Sequence, residues 1–262
     1  MSFKRLAIAF SVGVFCMYVG LILCLLYFYK GSLFAETLFS QRVLFSVCLS
    51  LITATVATII AVLIALPSAY ALSRFNFFGK QIIDTLLELP MIVSPVSLGA
   101  MILISFNTPA GQFVQERGVQ FVFTVYGIIL AQFVTTAGIA IRLIKAAMDE
   151  IPQVYEETAR TLGATPADVF FSVILPLSKR GIIAASVLTW AKAVGEFGAT
   201  ITVAGSMAMK TETLPVAIFM RLAGADIEGT AVLVLILISI GLGVLYGVRL
   251  FAAKGPSYSE EH

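Results

Sequence analysis

Apolar residues fall in long unbroken runs rather than at alternate positions along this chain. Residues 6–29, 43–73, 89–106, 118–141, 181 to about 203, and 230–248 are almost free of charge. A helix rises about 1.5 Å per residue, so each run is long enough to cross roughly 30 Å of hydrocarbon. Lipid offers no hydrogen bonds to the backbone, and none of the runs sustains a two-residue alternation, so helices are preferred to a barrel. The pattern predicts an all-α integral membrane protein of about six transmembrane helices, forming one transmembrane domain over residues 1–262.

Composition agrees with the pattern. Of the 262 residues 59% are hydrophobic and 12% charged, with a mean hydropathy of +0.99, too apolar for a water-soluble globule of this size. The formal net charge is +2 and the 17 Lys and Arg residues are dispersed, which leaves nucleic acid without an electrostatic footprint. Cys16, Cys24 and Cys48 lie in apolar runs and read as packing residues. His262 is the sole histidine, so a histidine-based metal or acid/base site is not expected. The N-terminus has the basic start of a secretory signal, yet its apolar run exceeds the usual signal core of about 7–15 residues and no small-x-small cleavage site follows; it reads as a retained first helix.

Charge sets the expected orientation. With six spans and both termini cytoplasmic, the inner segments carry Lys4, Arg5, Arg74, Lys80, Arg142, Lys145, Arg160, Lys179, Arg180, Arg249 and Lys254. The outer segments then carry Lys30, Arg42, Arg117, Lys210 and Arg221. Gly243-x-x-x-Gly247 in the last run has the spacing for close helix approach, within the chain or against a second copy.

The polar insertion at about residues 146–177 is cytoplasmic in this arrangement. Pro152, the acids after it and Gly163 bracket a short amphipathic helix. Ile151, Val154, Tyr155, Thr158, Ala159 and Leu162 repeat at helical spacing, with Glu156, Glu157 and Arg160 nearer the opposite flank. Thr165-Pro166-Ala167-Asp168 forms a capping box for a second short helix, which Pro176 is expected to stop or bend. Two helices meeting at a glycine make an elbow. On periodicity alone an interfacial loop resting on headgroups is the slightly favoured reading.

Lys192 and Glu196 interrupt the fifth run 11 and 15 residues after Gly181, roughly 16–23 Å along a helix. Their spacing allows a salt bridge that either fixes packing or lines and gates a wet path. The hydroxyls of Thr200 and Thr202 are candidates for the same path, against the ordinary role of bonding their own backbone.

The insertion resembles a known signature. Glu157-Thr158-Ala159, then Gly163, Val173 and Leu175-Pro176, is similar to the E-A-A-x3-G-x9-I-x-L-P motif of binding-protein-dependent ABC importer permeases; five of its seven fixed positions are present. The segments at 65–74 and 88–95 are also similar to spans of that family. The resemblance implies that Glu156, Glu157, Thr158, Ala159, Leu162, Gly163, Ala164, Val173, Leu175 and Pro176 form the coupling site gripped by an ATPase subunit. It implies a multi-pass permease of a prokaryotic inner or plasma membrane. Its partners would be two ATPase subunits, a second permease copy and an extracytoplasmic oxyanion-binding protein, for which Lys210 and Arg221 are candidate docking residues. The chain would carry no cofactor and no enzymatic site; ATP and Mg would be bound by the ATPase subunit. In keeping with this, Gly79-Lys80 lacks a phosphate loop, since Arg74 occupies the place of its first glycine. The Gly195–Thr200 and Lys210–Ile218 segments are similar to molybdate and sulfate permeases, leaning to molybdate or tungstate. The alternatives are sulfate or thiosulfate import, or proton-coupled transport through Lys192 and Glu196.

Overall fold

The structure is a computed structural model and describes residues 3–27 and 36–253. Lys30, Lys254 and His262 lie outside the described residues. All regular structure among those described is helical: α1 (Phe3–Tyr27), α2 (Gln41–Arg74), α3 (Lys80–Ile92, irregular at residues 87–88), α4 (Pro95–Phe106), α5 (Pro109–Arg117), α6 (Val125–Asp149), α7 (Val154–Thr161), α8 (Pro166–Val194), α9 (Gly198–Ala204), α10 (Leu214–Ala223) and α11 (Ile227–Ala253). Five helices are long and apolar enough to cross a membrane, and the bent pair α3–α4 makes a sixth candidate.

α2 and α6 form the centre of the bundle. The Ser40 hydroxyl caps α2 by accepting from the Val43 N–H. Ala54, Ala57, Ala61, Ala65 and Ala69 then recur every three or four residues along one buried face of this 34-residue helix. Small side chains let the α6 backbone approach closely, which is how membrane helices gain contact when water supplies no driving force. Ile52, Ile59 and Leu63 project from the opposite face of α2, outward, as lipid requires. Ala140, Ile141, Ile144 and Met148 of α6 pack with Ala65 and Tyr70 at one end of the bundle, the end that carries Arg74. A smaller cluster of Val43, Leu214, Val232 and Leu233 closes the far end.

Four boundaries differ from the sequence expectations. The run at 89–106 is not one straight span, because α3 and α4 meet at 113°. Val93 and Ser94 are extended, Ser94 caps α4 and Pro95 opens it; a residue before proline avoids helical geometry. Apolar character runs straight through the bend, so hydropathy does not reveal it. The fourth span begins at Val125 rather than at 118, where Thr124 accepts from the Gly127 N–H. Pro176 does not stop its helix: α8 is continuous over 29 residues, with a π-helical turn at Phe170–Ile174 immediately before Leu175-Pro176. The widened turn relieves the crowding of a proline ring against the preceding turn. Finally, the fifth run is broken at residues 195–197 and resumes as α9.

α1 buries none of its residues and lies alongside α11. A Cβ added at Gly243 or Gly247 would meet nothing within 4 Å, so no described helix of this chain packs against that pair.

Candidate functional site

α7, Gly163 and the first turn of α8 form the elbow. Its corner is a Schellman motif: the Gly163 N–H donates to Arg160 O at 3.0 Å and the Ala164 N–H to Ala159 O at 3.1 Å. Gly163 has φ +90°, the left-handed geometry the motif requires of its corner residue. On the other arm the Asp168 N–H donates to Thr165 Oγ1 at 3.3 Å and the Thr165 N–H to Asp168 Oδ2 at 3.0 Å, the expected capping box. Ala159, Ala164 and Val173 pack against the core at this end, Leu175 is half-buried and Pro176 exposed.

The faces of α7 follow the expected order only in part: Ile151 and Ala159 pack inward while Glu157 and Arg160 face out, but the other positions depart from it. Val154, Tyr155 and Leu162 are exposed, Leu162 to 85%, together with Glu157, Thr158 and Arg160. Glu156, expected on the polar flank, is buried. The reason is Arg74, the last residue of α2. Its Nε donates to the Glu156 carboxylate and its Nη2 to the carbonyls of Met148 (2.9 Å) and Ile151 (2.8 Å) at the end of α6. Tyr70 Oη donates to Glu156 at 3.4 Å, and Ser73 bonds Asp149. Arg74 thus satisfies carbonyls that a helix end leaves free and neutralises a buried acid at once. Nothing in the sequence had marked Arg74 as a partner of Glu156.

A second polar site lies where the fifth run breaks. α8 ends at Gly195, and Glu196 beyond it is 1% exposed. Its Oε2 accepts from Lys192 Nζ at 2.8 Å and its Oε1 from the Ala199 N–H at 3.2 Å. One carboxylate therefore neutralises the last turn of α8 and caps the first turn of α9; the salt bridge that the spacing allows is formed, with Glu196 just beyond the end of the helix that carries Lys192. Gln132 of α6 donates to Ala193 O at 3.1 Å, beside the break. Lys192 is about half-exposed. Thr200 Oγ1 is buried with no partner, whereas Thr202 Oγ1 donates to Gly198 O at 2.7 Å, the ordinary role of a membrane-helix hydroxyl. Gly99 of α4 has no room for a side chain here, since a Cβ would come within 2.7 Å of Thr202 Cβ.

At the far end Lys210 is exposed and Arg221 pairs with Asp226 at 3.3 Å. The stronger pair there went unseen in the sequence: Arg42 Nε and Nη2 each donate to Glu212 at 2.7 Å, and Glu212 is 1% exposed. The two residues are 170 positions apart, and a single sequence carries no signal that joins them.

Residues 57–254 match the family described as the binding-protein-dependent transport system inner membrane component. The chain belongs to that family. Among its relatives, the molybdenum transport system permease protein ModB of Haemophilus influenzae is 36% identical over 199 residues, 74% of this permease and 86% of that protein. The sulfate transport system permease protein CysT of Salmonella typhimurium is 31% identical over 207 residues, 78% and 75% of the two chains. The permease also shares its fold with a chain of a bacterial alginate ABC transporter, solved in complex with a pentasaccharide-bound periplasmic protein. There the TM-score is 0.71 with 16% identity over 95% and 90% of the chains. Elbow and broken helix both lie inside the matched region of the permease.

Proposed function

We propose that this permease subunit imports a tetrahedral oxyanion, molybdate or tungstate, with energy from ATP hydrolysed on separate subunits. The observation that carries the reading is the elbow: a short helix closed by a Schellman corner, with Glu156 turned inward and Val154, Tyr155 and Leu162 left on the outside. Such a knob suits a groove on a soluble ATPase subunit, which would bind ATP and Mg. The elbow end is then cytoplasmic and the Arg42–Glu212 end faces the binding protein, with Lys210 and Arg221 at its margin. Two permease copies and two ATPase copies complete the assembly, and the outward-facing Gly243 and Gly247 suit a helix of another copy.

Oxyanion selectivity is the finer part of the proposal and draws on the relatives named for molybdenum and sulfate. Lys192, half-exposed beside the break, would meet the anion, with Glu196 tempering its charge and Thr200 offering an unused hydroxyl. Sulfate is the second reading, favoured by the 31% identity to the sulfate permease. Proton coupling is disfavoured, because both Glu196 oxygens are engaged.

The test is reconstitution with the ATPase subunits and binding protein in liposomes. ATP-dependent uptake of labelled molybdate, competed by tungstate and weakly by sulfate, is expected. Efficient competition by sulfate transfers the reading to sulfate, and uptake driven by a proton gradient without ATP overturns it.

A further inference from the structure

Along the chain the elbow joins the bundle through α6 and through α8, and the path through α8 is irregular at two places. A π-helical turn occupies Phe170–Ile174, and the helix breaks at residues 195–197. α2 remains α-helical over 34 residues, about 50 Å at ordinary helical rise, even across Pro67 within it. Both its ends grip a buried glutamate from a distant element.

At the elbow end the grip is Arg74 on Glu156, with Tyr70 on the same carboxylate and Ser73 on Asp149. At the far end it is the forked pair of Arg42 with Glu212. Ser50 adds a second bond there, its hydroxyl accepting from the Leu214 N–H at 2.7 Å. Thr211, Glu212, Thr213 and Leu214 are all buried, and they join α9 to α10. α9 is the helix capped by Glu196, and Phe219 of α10 lies 4.7 Å from Phe197 at the break, ring centre to ring centre. A displacement of α2 is thereby delivered to α9 and α10, which both adjoin the break.

We infer that α2 is the lever that carries elbow displacement to the far side, with Arg74–Glu156 as its inner joint and Arg42–Glu212 as its outer one. Glu212 and Arg42 are positioning residues: they touch no solute and act through α9 and α10. The inference rests on the ATP-driven importer reading. A helix held at both ends by specific bonds is a contiguous physical path for coupling over this distance.

Two measurements on the reconstituted complex test it. The first is the ratio of solute imported to ATP hydrolysed. Glu212→Gln keeps the shape of the side chain but loses the charged fork, and is expected to lower the ratio at least about fivefold, the low end of ordinary coupling. Glu212→Asp restores much of it. An unchanged ratio in Glu212→Gln, with only the yield of complex reduced, makes the pair a packing contact and overturns the inference. The second is a spin-label distance between exposed positions Gln153→Cys on the elbow and Ala208→Cys on the far loop, with Cys16, Cys24 and Cys48 replaced by serine. In one chain this distance should be the same in nucleotide-free and ATP-trapped complexes, and Glu212→Gln should broaden it. A distance that differs between the two states without the substitution shows that the ends move independently, and the lever is refuted. No solute is needed for the distance, so a complex that hydrolyses ATP but imports no oxyanion counts against the substrate reading alone.

Discussion

Glu196 bonds two helices at once, and that double role sets what its replacement should do. Glu196→Gln removes the charge opposite Lys192 but keeps an oxygen for the Ala199 N–H. Charge-assisted bonds contribute about 1.5–3 kcal/mol, so uptake per complex should change roughly tenfold or more, while the amount of assembled complex on size exclusion stays near normal. Loss of assembly with normal uptake per complex would make the pair purely structural. At Gly163 any Cβ has open space around it but is held at φ +90°. A β-branched side chain there is disfavoured by roughly 1–3 kcal/mol, so Gly163→Val should open the corner and abolish ATP-driven uptake in the liposome assay. The sequence located both residues correctly but misjudged Glu156, because a helical wheel ranks a residue by its own polarity. It cannot see that Arg74, 82 positions away, waits inside.

Among elements, the elbow was the most legible, since its corner and cap are local: Gly163 and Thr165-x-x-Asp168 interact only with neighbours in sequence. The breaks were not legible: the chain stays apolar across the α3–α4 bend, where hydropathy registers composition, not direction, and at α8–α9 the charges of Lys192 and Glu196 marked the place without showing that the helix ends there. Thr165→Ala should remove the capping box and cost about 1 kcal/mol, read as faster hydrogen exchange in the first turn of α8. The outward face of α7 makes its own prediction. Leu162→Asp places a charge on a side chain that touches little of this chain. The permease should fold unchanged by thermal unfolding in detergent, yet co-purify poorly with its ATPase subunit.

For the molecule as a whole, the buried Arg74–Glu156 pair makes stability sensitive to single substitutions. Arg74 and Glu156 are each 6% exposed, and removing one member of such a pair leaves an uncompensated buried charge at a cost of about 3–5 kcal/mol. Arg74→Ala should therefore lower the thermal midpoint in detergent sharply, whereas Arg74→Ala combined with Glu156→Ala should recover a large part of the loss. The elbow's hydrogen bonds also bear on how fast the complete machine can form. A partner that seizes a floppy segment must first freeze it, and that ordering is subtracted from the binding energy. Here the Schellman corner and the threonine cap have already done the freezing, so a passing ATPase subunit meets a finished key, and assembly should be limited by encounter rather than by folding on arrival.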